Sequence, residues 1–160
     1  MMTSPTFGQV TMAETAEGIL DWLNNHKGEN NHIVIGTDSQ NHSKTKVVVA
    51  IAIYTDGRGG RFYYNVTSIP KISNVRQKIH METATSLEYM DSLLSELDKI
   101  DTDGDYLNNA SIGIHVDASY GGVSGQVIPE VIGWIKSVGY EVEVKPKSFV
   151  ASTIADRISK

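Results

Sequence analysis

His32-Ile-Val-Ile-Gly-Thr-Asp38 is the most informative stretch of this chain. It is short, β-branched and almost continuously apolar, the pattern of a strand buried on both faces of a sheet. Val47 to Tyr54 repeats the pattern. Arg61 to Thr67, with Phe62, Tyr63 and Tyr64, reads as a third strand. Thr55-Asp-Gly-Arg-Gly-Gly60 between the last two is turn chemistry, with glycines available for positive φ. Short links make the three strands an antiparallel meander.

Downstream the period changes. Ile79, Thr83, Leu87, Met90, Leu94 and Leu97 recur at three and four residues and predict a long amphipathic helix over Val75–Lys99. Asp101 to Asn109 reads as a polar loop and Ala110 to Asp117 as a fourth strand. Gly121 and Gly122 open a turn into a helix bearing Val127, Val131, Ile132 and Ile135, with Pro129 in its first turn and Gly139 at its end. Tyr140 to Lys145 alternates as a fifth strand, stopped by Pro146. Ser148 can cap a final short helix from Phe149 onward. Upstream, Thr11-Met-Ala-Glu14 fits a capping box before a helix carrying Ile19, Leu20 and Leu23. The first dozen residues look irregular and loose. The expected organisation is an N-terminal segment with a short helix over residues 1–30, then one α/β domain over 31–160. Its order, β-β-β-α-β-α-β-α, predicts a mixed five-stranded sheet with helices on both faces.

Composition narrows the function. The chain has 160 residues, 40% of them apolar and 21% charged, enough for one domain with a real core. The absence of cysteine excludes a disulfide scaffold, a thiolate zinc finger and a cysteine nucleophile. The longest apolar run, Val47 to Tyr54, is too short to cross a bilayer. Met1 to Phe7 lacks the basic and apolar regions of a signal peptide, so a cytoplasmic address without a membrane partner is expected. Net charge is −5, whereas a protein gripping nucleic acid by bulk charge is basic. Either the partner is no polyanion, or carboxylates here hold cations that reverse the local sign.

The carboxylates have a pattern. Asp38 closes the first strand and Asp117 the fourth. Ligands of open α/β sheets sit beyond the carboxyl ends of parallel strands. As parallel neighbours, the two acids would stand side by side and need a cation or a raised pKa. Each alone also fits an aspartate that starts a turn. Glu82 lies about 75° from the centre of the apolar stripe, on the helix flank. There it can reach over the sheet end or remain a solvated charge, whereas Glu88 points directly away. Asp156 lies opposite Val150, Ile154 and Ile158, yet small Ser152, Ala155 and Ser159 beside it allow close approach to a sheet edge. Periodicity leaves its role open. Ser39 and Gln40 are placed to touch substrate or water. Lys145, with Lys147 and Ser148, can meet a phosphate or simply end a strand. His115 reads as a core histidine, His80 as an outer group, and the strand tyrosines as sheet packing rather than base stacking.

Three motif resemblances fail. Asp101-Thr-Asp-Gly-Asp105 has its glycine misplaced for a calcium loop and Ile112 where the closing Glu belongs. Gly121-Gly-Val-Ser-Gly125 lacks the spacing of a dinucleotide fingerprint and the Lys of a Walker loop. Nor is it a nucleophile elbow, since Gln126 stands where the second glycine belongs.

The element order, with Asp, Glu, Asp and Asp placed as above, resembles the ribonuclease H-like fold. Gly36-Thr-Asp-Ser-Gln40, His80-Met-Glu82 with Ser86-Leu-Glu88, His115-Val-Asp117 and Lys145-Pro-Lys-Ser148 are similar to segments of the YkuK-like family of uncharacterised bacterial proteins. Ala151-Ser152, Ala155-Asp156-Arg157 and Ser159-Lys160 extend that similarity. The resemblance implies strand order 3-2-1-4-5 and two Mg²⁺ or Mn²⁺ ions held by Asp38, Glu82, Asp117 and Asp156. It also implies nucleic acid as partner, hydrolysed at its phosphodiesters; Ser39, Gln40, Lys145 and Ser152 are the candidate substrate contacts. Hard cations suit such oxygen ligands. Asp38-Ser-Gln40 lacks the Asp-x-Glu pair of proofreading exonucleases. A non-catalytic binding or regulatory module that keeps the fold is the alternative.

Overall fold

The computed structural model describes residues 1–118, 121–145, 147, 148 and 150. Its centre is the meander β3 (Asn31–Asn41), β4 (Thr45–Thr55) and β5 (Gly59–Ile69), each strand antiparallel to the next. After helix α2 (Val75–Ile100) and one turn of helix α3 (Tyr106–Asn109), strand β6 (Ala110–Val116) returns parallel to β3. A 3₁₀ turn over Val123–Gln126 leads into α4 (Ile128–Ser137), and β7 (Glu141–Val144) pairs parallel to β6. These five strands lie in the order expected, β5-β4-β3-β6-β7. The turn of α3 replaces part of the expected polar loop.

The N-terminus corrects an expectation. The first dozen residues form a hairpin, β1 (Met2–Ser4) and β2 (Gly8–Val10), which joins the sheet through Thr3 opposite Tyr64 of β5. Burial explains it: Met2 and Val10 are inside, while Phe7 at the turn is exposed. Among the described residues the sheet is therefore seven-stranded.

Helix α1 (Met12–Asn24) starts at the full capping box: Thr11 Oγ1 accepts from the Glu14 N–H, and Glu14 Oε1 accepts from the Thr11 N–H, both at 3.0 Å. Thr11→Ala removes one of the two bonds. It is expected to cost about 1 kcal/mol, lowering the calorimetric melting temperature by about 3 °C for a chain of this size. Gly18 lets α1 approach β5, because a Cβ there would stand 2.1 Å from Tyr63 Oη.

Helices α1, α2 and α4 bury their apolar stripes against one sheet face. Ile19, Leu23, Met90, Leu93, Leu97, Val131 and Ile135 pack there with Ile33, Ile35, Ile51 and Ile114. The opposite face gathers Val34, Ala50 and Ala52 beneath Val150, with Tyr54, Phe62 and Tyr64 partly buried around them. Beyond Val150, the expected C-terminal helix lies outside the described residues, as does Pro146. The link from β5 into α2 is pinned to the end of the β3–β4 hairpin: Asn41 donates to Ile72 O, and Ile72 N–H donates to Thr45 Oγ1, both at 2.9 Å. Asn74 then caps α2 by accepting from the Gln77 N–H. This fixes the start of α2 beside the sheet end that carries Asp38. No helix among the described residues is long and apolar enough to cross a membrane.

Candidate functional site

β3 does not end at Asp38, as the sequence suggested. Its antiparallel pairing with β4 continues to Asn41, while its parallel pairing with β6 stops at Thr37 opposite Val116. Asp38 and Asp117 are each the next residue after that last pair. They occupy matching positions where two parallel strands part, which is why their carboxyl groups meet.

Alternation distributes the neighbours. Thr37 and Ser39 point toward α2, and their spacing along the strand matches one helical turn. Thr37 Oγ1 lies 2.8 Å from Ser86 Oγ, and Ser39 Oγ donates to Glu82 Oε2 at 2.5 Å. Two steps along a strand cover about 6.6 Å and four along a helix about 6 Å, so the pairs 37/86 and 39/82 fall in register. Glu82 is thus buried, with 7% of its surface exposed, rather than on an open flank. Glu88 is exposed, as expected.

Burial and mutual contact set the electrostatics. Asp38 is raised to about 7, first by burial and then by its hydrogen bond to Asp117 and that residue's charge. The Ser39 N–H, which donates to Asp38 Oδ1 at 2.9 Å, and Lys78 pull the other way. Burial pushes the Glu82 carboxyl up to about 8; the Ser39 hydroxyl opposes this, and the charges of Asp38 and Asp117 add to it. Such a cluster holds a proton that water would remove, or a cation in its place. Asp117 Oδ1 is buried and, among the described residues, accepts no well-aligned hydrogen bond. The Lys145 ammonium lies 2.9 Å from it. A buried carboxylate oxygen left in this state is a natural ligand for a hard cation, so the residues present fit one. Among the described residues, no three acids already converge in metal-binding geometry. Asp38 and Asp117 form the pair, and Glu82 stands one layer behind, held by Ser39.

The remaining candidates divide. Ser39 is buried and committed to Glu82, so it orients that carboxylate instead of facing substrate. Gln40 lies two residues beyond Asp38, half-buried and opposite Lys46. Lys145 is brought to the site because its N–H donates to Ala118 O at 2.9 Å, tying the end of β7 to the residue after Asp117. Asp156 and Ser152 lie outside the described residues. His115 is buried, accepts from the Val150 N–H at 3.4 Å, and is lowered to about 4 by burial and His32. It is a neutral core histidine, as the sequence suggested. His80 is drawn away to Glu130, 3.2 Å distant, alongside Arg76. The sequence reading missed Lys78, one turn before Glu82, whose charge reaches both Asp38 and Glu82.

A second constellation lies near the opposite ends of β3 and β6. His32 Nδ1 is 2.8 Å from Ser111 Oγ, and His32 Nε2 is 3.1 Å from Asp56 Oδ1. The order is that of a nucleophile, base and acid. Glu141 and Glu143 line the same cleft of about 260 Å³, and Ser111 sits in the parallel ladder opposite His32. Acidic walls oppose an oxyanion, and ladder amides cannot receive one, so this chain of hydrogen bonds is structural.

The chain is 28% identical over 159 residues to a Bacillus subtilis (strain 168) protein described as "Uncharacterized protein YkuK", covering 95% of this chain and 92% of that one. No solved structure matches. A family model described as "Ribonuclease H-like" matches residues 14–160, and the chain therefore belongs to the ribonuclease H-like family.

Proposed function

We propose that this protein is a divalent-metal-dependent phosphodiesterase acting on nucleic acid. One observation carries the reading: Asp38 and Asp117 are forced together where β3 and β6 part, with a buried Asp117 oxygen whose close partner among the described residues is the Lys145 ammonium. Family membership adds weight. Asp38 and Asp117 would hold two Mg²⁺ or Mn²⁺ ions, with Glu82 and Asp156 completing the set. Bound there, such ions would supply Lewis-acid polarisation of a phosphate and acidification of the attacking water.

The chain's own residues do the rest. Ser39 aims Glu82 and keeps its carboxyl in one orientation. Burial raises both Glu82 and Asp38, so each holds its proton more tightly than in water until a cation replaces it. Gln40, Lys145 and Ser152 would contact substrate, and Lys78 adds positive charge beside an otherwise acidic centre. Local cations of this kind answer the net charge of −5, since the polyanion meets ions and lysines rather than a basic surface.

The test is cleavage of labelled single-stranded RNA, single-stranded DNA, duplex and hybrid in Mn²⁺. Cleavage of at least one substrate is expected, with chelator abolishing it. Asp117→Asn should lower it by about 100-fold or more, since even outer partners of metal ligands cost 10- to 100-fold. Activity surviving that substitution identifies a contaminant. Nucleic-acid binding without cleavage favours the non-catalytic module.

A further inference from the structure

We propose that Lys145 is the resident counter-ion of Asp117, displaced when a divalent cation takes that carboxylate and thereby released to a phosphate oxygen of the substrate. The inference rests on the metal-dependent reading above and assigns Lys145 a positioning and exchange role within it.

The geometry separates the lysine's anchor from its head. The backbone is fixed: Lys145 N–H donates to Ala118 O at 2.9 Å, and Lys147 and Ser148 both donate to Val144 O. The head is not. Its side chain is 48% exposed, whereas that of Asp117 is 12% exposed. The ammonium therefore reaches inward from solvent to a buried oxygen, along a flexible stem that can withdraw by rotation alone. The contact is close: Nζ stands 2.9 Å from Oδ1. A half-exposed ammonium brings one charge to that oxygen where a divalent ion brings two, so the ion outcompetes it. A cation ligated by the same oxygen repels the ammonium directly. Among the described residues the ammonium forms one ion pair, with Asp117, while the charges of Asp38 and Glu82 keep it near the acidic centre. Expelled, it remains tethered next to the site through Ala118, where a substrate phosphate would arrive.

Titration with Mn²⁺ alone, followed by calorimetry at fixed pH and ionic strength, tests the exchange. Lys145→Met keeps the stem and removes the charge; it should bind Mn²⁺ about twofold to fivefold more tightly than wild type, the range open to a half-exposed ion pair. Lys145→Arg keeps the charge and should match wild type. A second readout follows the lysine itself. Acetylation of Lys145 by an N-hydroxysuccinimide ester, measured by peptide mass spectrometry, should accelerate when Mn²⁺ saturates the protein. Lys99, paired with Glu96 3.0 Å away, serves as the internal control. Unchanged or slowed acetylation overturns the exchange, as does Lys145→Met binding no more tightly. If neither wild type nor Lys145→Met binds Mn²⁺, the metal-dependent reading itself fails. Wild-type binding with unaltered acetylation removes only the role of Lys145.

Discussion

Asp38→Asn is expected to raise the melting temperature of the metal-free protein and to erase the rise that Mn²⁺ produces in wild type. The two effects share one cause. Asp38 sits against Asp117 in a partly dry site, and its carboxyl is raised to about 7 by burial and that neighbour. At pH 8 the native state must therefore ionise a group that it prefers neutral. Asparagine cannot ionise, keeps the shape, and can donate to Asp117 from its amide. A gain of about 1 kcal/mol, the scale of one relieved charge contact, corresponds to about 3 °C. Mn²⁺ at a hundredfold excess over its dissociation constant adds about 2.7 kcal/mol, or about 8 °C, to wild type. The variant, without one of the two proposed central ligands, should lose nearly all of that. Scanning calorimetry with chelator and with Mn²⁺ gives both numbers. A variant that keeps the full Mn²⁺ shift would falsify the assignment of Asp38 as a ligand. Stability sacrificed at one position for binding is the usual signature of a functional site.

The fold was largely legible because its strongest signals are local and periodic. The β-branched run at His32, the turn at Thr55–Gly60, the stripe through α2 and the Thr11 capping box each name an element without tertiary help. The five central strands accordingly appear in the expected order. The N-terminal hairpin was not legible. Its strands are three residues each, and only Met2, Ser4 and Val10 are buried. Two short polar strands are stable only where an existing edge, here β5, receives them. The sequence carries no local mark of that edge.

The site was legible in its residue types and misread in its geometry. Asp38 looked like a strand end because apolar character stops there, yet a strand has two sides. The parallel side ends at Thr37 and the antiparallel side runs on to Asn41. Glu82 looked half-solvated because a helical wheel measures its angle from the apolar stripe alone. Its burial comes from Ser39, a polar partner on the facing strand. That partner could have been found. Alternation puts Thr37 and Ser39 on one face, and a helix crossing that face needs polar residues four apart, which Glu82 and Ser86 are. Lys145 illustrates the converse: its type suggested phosphate, but only the Ala118 hydrogen bond places it against Asp117.

The same buried acids govern how stability responds to pH, and the sign separates metal-free from metal-bound protein. Glu82 and Asp38 bind protons more tightly in the native chain, at about 8 and about 7, than at their ordinary values of 4.5 and 3.8. The stability they contribute is complete below pH 4 and is lost as pH rises through those native values. His115, lowered to about 4 by burial, works in the opposite direction: its contribution grows from pH 4 and is complete above its ordinary 6.5. The window from pH 6.5 to 8.5 therefore isolates the carboxyls. In chelator, the melting temperature should fall across it. One proton retained by the native state alone corresponds to about 1.4 kcal/mol per pH unit, or about 4 °C per unit as an upper bound, because solvent screens part of the Asp38 share. In excess Mn²⁺ the slope should flatten or reverse, since a bound cation replaces the protons and binds better as they leave. Glu82→Gln removes the larger contribution and should cut the slope in chelator by about two thirds. A metal-free melting temperature that rises steadily from pH 6.5 to 8.5 would show that these acids are ionised at no cost, and the pairing of Asp38 with Asp117 would then not be the tense, cation-seeking arrangement on which the metal site depends.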